Sequence, residues 1–360
     1  MLKNYDKKIV LEDGTEYYGY GFGANKEIIC ELAFNTSVVG YQEMISDPAY
    51  AYKMIVMTYP VIGNYGITDE DYETKQPTIG GLVVREYNDQ PSNFRYTKTL
   101  SEILEENNIT GIEGIDTRKL ARSIKKLESK KAIITDAETK VEEAIERIKK
   151  YNIPKDAVSK VSSKKKWYSR TANHKYNVVA IDCGMKLNIV RCLNERKCNV
   201  TVVPYNTTYE EVVSLKPDGI LISDGPGNPK NIPETIKVVK ELKGKYPMFG
   251  ICLGHGVISL AYGAEICELE AGIRGGNSPV KNLETGRIDM AGQGHGFIVD
   301  EKSLKHTKLE VTHINVLDKT VEGVECKKDK VFSVQFHPES APGPQDTVYL
   351  FDKFIDLMSK

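Results

Sequence analysis

The chain has 360 residues, of which 40% are hydrophobic and 28% charged, with a formal net charge of -1. That length suits about two globular domains, and the near-neutral balance argues against nucleic acid or a membrane surface as the main partner. No apolar run approaches the roughly 18 residues that span a bilayer, and the opening residues lack the apolar core of a secretory signal.

"KIVLEDGTEYYGYGFG" alternates about Asp13-Gly14 and predicts a β-hairpin. "MIVMTYPVIGNYG" and "TIGGLVVREYN" follow as short strands bounded by Gly, Pro and Asn. Helical patterns then take over. "TKTLSEILEENN" begins at a capping hydroxyl, "DTRKLARSIKKLES" spaces Leu120, Ile124 and Leu127 on one face, and "TKVEEAIERIKKY" is amphipathic. Residues 1–152 read as one domain. The polar, basic stretch "SKVSSKKKWYSRTANHK" marks a linker over 153–175, a solvated segment rather than a nucleic-acid patch.

From residue 176 the rhythm changes. Strands "YNVVAIDCG", "CNVTVVPYN", "DGILISDGPG" and "YPMFGIC" alternate with helices "KLNIVRCLNERK", "TYEEVVSLK", "PETIKVVKELKG" and "LGHGVISLAYG". Regular alternation predicts an α/β domain over 176–360 with a largely parallel sheet flanked by helices. Ligands of such sheets bind beyond the carboxyl ends of the strands, where "SDGPGNP" and "GICLGHG" fall.

Cysteines stand at 30, 183, 192, 198, 252, 267 and 326. An odd count without a Cys-x-x-Cys pair suits free thiols in a reducing cytoplasm and gives no zinc pattern, so no metal site is expected. By residue type Cys252 is a buried core thiol. Its setting, Gly250-Ile251-Cys252-Leu253-Gly254, has the Gly-x-nucleophile-x-Gly form of a sharp strand-to-helix elbow. The nucleophile needs a base and the base an orienting group. His337 in "VFSVQFHPES" ends an apolar strand, and Glu339 two residues later lies within reach of its ring. Gly225 and Gly227 in "ISDGPGNP" let backbone approach a ligand. His255 and His295 sit among glycines, and a packed or solvent-facing histidine is the default reading for each.

These motifs resemble the class I glutamine amidotransferases, on "SDGPGNP", "GICLGHG" and "QFHPE". "LEDGTEYYGYGFG", "FNTSVVGYQEMISDPAY", "TYPVIGNYG" and "GIDTRKLARSI" resemble the N-terminal domain of the carbamoyl phosphate synthase small-subunit family, and "IDCGMKLNI", "RGGNSPV", "GHGFIVDE" and "HPESAPGP" extend the likeness over nearly the whole chain. The resemblance implies a cysteine–histidine–glutamate trio of Cys252, His337 and Glu339, with backbone N–H groups of Gly225 and Leu253 as an oxyanion hole. It implies L-glutamine or a related amide as substrate. Ammonia would pass to a large subunit that uses ATP and Mg to make carbamoyl phosphate for pyrimidine and arginine precursors, with no cofactor in this chain. It places Ala49, Gly227, Gly256, Gly294, Gly296 and Phe297 at the substrate. There the chain departs from the pattern: Ala49 stands where serine is usual, Gly256 where glutamine is, Gly294 where asparagine is, and Ile273 and Ser278 where histidines are. The expectation is a weakened or remodelled amide pocket beside an intact trio; the alternatives are a divergent paralogue that acts on another amide or serves another synthase, and a non-catalytic regulatory subunit.

Overall fold

A computed structural model describes residues 4–125 and 130–359. The chain divides into two units, residues 1–154 and 155–360.

The first unit is built on β1 (Lys7–Leu11), β2 (Glu16–Gly23), β3 (Ile28–Asn35), β4 (Lys53–Met57), β5 (Val61–Ile62), β6 (Gly81–Val83), β7 (Glu86–Tyr87), β8 (Thr110–Glu113) and β9 (Lys131–Asp136). Seven of these strands close a barrel in the order β1-β2-β8-β6-β4-β3-β9, and β5 pairs with β7 apart from it. The expected hairpin joins β1 to β2, with Gly14 at φ +87 and the Asp13 carboxylate accepting from Thr15 N at 2.9 Å. Successive side chains of a strand point to opposite faces. Accordingly Leu32, Met54 and Val56 fill one apolar cluster while Ala33, Ile55 and Met57 fill another. The helices are α1 (Tyr41–Ile45), α2 (Leu100–Glu106), α3 (Thr117–Ile124) and α4 (Val141–Lys150). Thr99 caps α2 in a capping box with Glu102, the hydroxyl start legible in the sequence. Leu120 and Ile124 of α3 are buried as their spacing predicts, and Leu127 lies outside the described residues.

The second unit comprises α5 (Ala157–Val161), β10 (Trp167–Ser169), β11 (Tyr176–Asp182), α6 (Leu187–Glu195), β12 (Cys198–Pro204), α7 (Tyr209–Ser214), β13 (Gly219–Ile222), α8 (Pro233–Leu242), β14 (Met248–Ile251), α9 (Leu253–Ala261), β15 (Ile266–Asn282), β16 (Ile288–Val299), α10 (Glu301–Leu304), β17 (Glu310–Asn315), β18 (Val321–Cys326), β19 (Val331–Val334) and α11 (Tyr349–Ser359). Its ten-stranded sheet runs β10-β12-β11-β13-β14-β19-β18-β17-β15-β16. The strands from β12 to β19 in that order are parallel, as the alternation of elements predicts. Both ends of the sheet are antiparallel, β10 on one side and β18, β17, β15 and β16 on the other.

The parallel strands are buried on both faces. Ala180, Leu221, Phe249 and Val334 pack with α6 and α11, and Ile181, Ile222 and Met248 pack with α8 and α9. The stretch 153–175, expected as a linker, instead holds α5 and β10. Trp167 to Ser169 pair with β12, and Val158 joins the core under β11. The lysines that mark the segment as solvated fall outside this strand. No helix among the described residues is long and apolar enough to cross a membrane, and the seven cysteines are free thiols, with Cys267 the exposed one.

Candidate active site

Cys252 follows β14 and immediately precedes α9, with φ 50° and ψ -100°. A non-glycine residue held at positive φ stores about 1–3 kcal/mol of strain. Local contacts fix it there. Its N–H donates to Val334 O at 2.8 Å on the parallel neighbour β19, and its carbonyl accepts from His255 N at 3.0 Å to open the helix. The flanking glycines are dictated by space. A Cβ at Gly250 would stand 2.6 Å from Ile258 Cδ1 and 2.7 Å from Gly254 O. One at Gly254 would stand 2.2 Å from Ile222 O, the end of β13. The Gly-x-Cys-x-Gly pattern is therefore the steric condition for this corner.

Gly225 follows β13. A Cβ there would lie 2.1 Å from Cys183 O and 3.0 Å from Leu253 Cδ2, so Gly225 and Leu253 are neighbours beside Cys252. Leu253 is the first residue of α9, and an N–H in that position has no intrahelical acceptor. Gly225 and the first residue of α9 therefore meet at the start of the helix that Cys252 precedes.

His337 lies beyond β19, which ends at Val334 rather than at the histidine. An isolated bridge to Gly292 holds it, His337 N donating to Gly292 O at 2.9 Å. Its Nδ1 meets Glu339 Oε1 at 2.9 Å, and both side chains are buried. Lys186, just before α6, places Nζ 2.6 Å from the same carboxylate oxygen and donates to Ser340 O at 2.7 Å. Asp224 Oδ2 lies 3.7 Å from His337 Nδ1. Gln335 Nε2 stands 3.7 Å from Cys252 Sγ.

Burial and Lys186 both oppose charge on His337, yet Glu339 and the Cys252 thiolate outweigh them and its proton affinity rises well above the ordinary value. Burial would raise Glu339, but Lys186 and His337 hold it well below the usual carboxylate range. The pair rests as imidazolium and carboxylate. Among the described residues, Asp224, His337 and Glu339 bring side-chain ligand atoms within 4.8 Å of one another. Lys186 already occupies the Glu339 oxygen, so this cluster is arranged as a network of ion pairs.

The remaining candidates separate by position. Side chains at 292, 294 and 296 share one face of β16. A Cβ at Gly292 would lie 3.8 Å from His337 Cβ, one at Gly294 would lie 3.1 Å from His337 Nε2, and one at Gly296 would meet nothing within 4 Å. Gly292 and Gly294 thus border the histidine, and Gly296 faces open space. His295 belongs to the opposite face, bonded to Phe297 O at 3.1 Å and to the Gln293 side chain at 2.8 Å. Burial depresses its pKa to about 3, and His255, paired with Ser333 Oγ at 2.9 Å, is depressed to about 3 for the same reason. Both are neutral packing residues, one of the two default readings of the sequence. The Phe297 ring packs on the apolar cluster of Ile266, Val299 and Leu304.

Gly227 takes φ +86 with open space around it. Gly256 does not leave a vacancy. A Cβ there would stand 2.7 Å from Pro229 Cγ, so the turn after "SDGPGN" fills the place of a side chain. Ala49 lies in the first unit, in the 3-10 turn Pro48–Tyr50, where its N–H donates to the Asp47 carboxylate at 2.8 Å. Lys186, Asp224 and Gln335 were not singled out by the sequence. Gln335 stands two residues before His337 and was within reach of pattern reading. Lys186 and Asp224 reach the site only through the parallel sheet.

A cysteine elbow faced by a buried His–Glu pair, at the carboxyl edge of a parallel sheet, defines a class I glutamine amidotransferase domain. The family model "Glutamine amidotransferase class-I" matches residues 179–357. The barrel unit narrows this further, since the model "Carbamoyl-phosphate synthase small chain, CPSase domain" matches residues 9–134. A carbamoyl phosphate synthase small chain from Fusobacterium nucleatum subsp. nucleatum is 49% identical over 351 residues, covering 98% of both chains. One from Staphylococcus saprophyticus subsp. saprophyticus is 46% identical over 360 residues, covering 100% of this chain and 97% of the relative. One from Listeria innocua serovar 6a is 47% identical, covering 98% and 96%. The chain belongs to the carbamoyl phosphate synthase small chain family.

Proposed function

We propose that this chain hydrolyses L-glutamine at Cys252 and supplies the ammonia to a large subunit that makes carbamoyl phosphate. The observation that carries the reading is the elbow cysteine, strained at φ 50° and set in one buried site with a His337–Glu339 pair at 2.9 Å. The raised proton affinity of His337 suits it to take the thiol proton of Cys252. The thiolate attacks the side-chain amide carbon, and the N–H groups of Gly225 and Leu253 hold the developing oxyanion. His337 gives its proton to the amide nitrogen as the C–N bond breaks, leaving a γ-glutamyl thioester and ammonia. Neutral His337 then takes a proton from water, which attacks the thioester and frees glutamate and the thiol. Glu339, held by Lys186, keeps Nδ1 engaged so that Nε2 faces the chemistry.

On this reading ATP and Mg act on the large subunit, and the pair works as a cytoplasmic heterodimer in pyrimidine and arginine precursor synthesis. Gly256 and Gly294 offer no side-chain donor to the amino-acid end of glutamine. Hydrogen bonds to charged groups contribute about 1.5–3 kcal/mol each, so the loss of two should raise KM for glutamine above that of relatives with glutamine and asparagine there by about a hundredfold or more.

Ammonia release from L-glutamine, with and without a large subunit and with Cys252→Ala as control, tests the reading. Saturable release that disappears in the control supports it. Folded, partner-bound protein that releases no ammonia at any glutamine concentration refutes it.

A further inference from the structure

Asp224 is a buried carboxylate that the elbow and the His–Glu pair leave without a role. It follows β13, directly before the oxyanion glycine Gly225, and its side chain is fully enclosed. Its Oδ2 lies 3.7 Å from His337 Nδ1, the nitrogen that meets Glu339 Oε1 at 2.9 Å. A single N–H on Nδ1 can point at one carboxylate only. The shorter contact assigns it to Glu339, which leaves Asp224 to act on the ring as a charge.

The charged groups facing His337 can be named element by element. Glu339 comes from its own loop, Asp224 from the end of β13, Lys186 from the approach to α6 and Cys252 from the elbow. Glu322 of β18 and the neutral His295 of β16 act at longer range. Burial and Lys186 both oppose a positive ring. Lys186 also takes up much of the negative charge of Glu339, at 2.6 Å from the same oxygen that meets the imidazole. Glu339 thus faces two cations through one oxygen, and Asp224 brings a second carboxyl group to 3.7 Å from the ring.

We propose that Asp224 is a second counter-ion of His337: a positioning residue that, together with Glu339, keeps the imidazole charged and its Nδ1 turned away from Cys252. The inference rests on the glutaminase reading for its consequence. The charged ring carries the Nε2 proton that moves to the amide nitrogen as the C–N bond breaks, and it returns to neutral before it activates water. Its central claim concerns the ring itself and needs no substrate.

The test is a pH titration by NMR of full-length protein labelled with 15N-histidine. The chain has six histidines, and His337→Gln assigns the signal. Asp224→Asn keeps the shape and removes the charge. An opposite charge within about 4–6 Å shifts a pKa by about 1–3 units, so His337 should lose its proton about 1–3 pH units lower in the variant. The alkaline limb of ammonia release should move by the same amount, with kcat lowered at high pH and KM unchanged. Circular dichroism checks folding, and Asp224→Ser repeats the comparison if the Asn protein does not fold. His337 titrating at the same pH in folded variant and parent overturns the proposal. A shifted titration in a protein that releases no ammonia supports the counter-ion and counts only against the glutaminase reading.

Discussion

Gly254→Ala puts the smallest side chain where the elbow has no room. The added Cβ would stand 2.2 Å from Ile222 O, 2.8 Å from Ile222 C and 3.0 Å from Ser223 O. All three are backbone atoms of the segment that leads from β13 into Asp224 and Gly225, so no rotamer change relieves the clash. Gly254 N also donates to Ser223 O at 3.1 Å, which ties the two segments together. Restoring an ordinary contact requires α9 and the β13 end to part by about 1 Å. Overpacking of this kind costs about 1–3 kcal/mol. For a domain of this size that lowers Tm by about 2–12 °C. The same shift separates Cys252 from the Gly225 N–H, and misplacement of about 1 Å costs roughly a hundredfold in rate. Thermal unfolding and ammonia release on the same preparation measure both effects. A Gly254→Ala protein with parental Tm and parental turnover would refute the steric account of the elbow.

Lys186→Met removes the cation from a buried pair with Glu339, and breaking such a pair costs about 3–5 kcal/mol; chemical denaturation should show the loss, together with a Glu339 that protonates at higher pH than in the parent. Acid stability follows from the buried histidines. Burial depresses His255 and His295 to about 3 and His313 to about 4. The unfolded chain therefore binds protons at these groups below about 6.5 while the native state does not. Their contribution is present above that pH and is lost as pH falls from about 6.5 toward 3. The urea midpoint should decline between pH 7 and 5, and His255→Gln should flatten the slope.

The elbow was legible because its demands are local. Glycines at 250 and 254 and the nucleophile between them are neighbours in sequence, and the clashes that require them arise within one turn. The His337–Glu339 spacing, the Asp13-Gly14 hairpin and the Thr99 cap are short-range in the same way. The parallel part of the second sheet was legible from strand–helix alternation. Its antiparallel extension from β15 to β18 was not, because those strands carry glycines and charged residues on faces that only neighbouring strands cover.

What the sequence alone determined is the order of the parallel strands and their helices, the sharp corner and the chemistry of its thiol, since backbone sterics act over a few residues. Tertiary structure decided the rest. It carried Lys186 and Asp224 to His337 from the ends of two other parallel strands, where their charges set the state of the ring. It placed Pro229 against Gly256, so that an apparent vacancy is filled. It recruited Trp167 to Ser169 into the sheet from a stretch whose lysines mark it as a linker. Charge and volume act through space, and the distance between two residues along the chain does not record either.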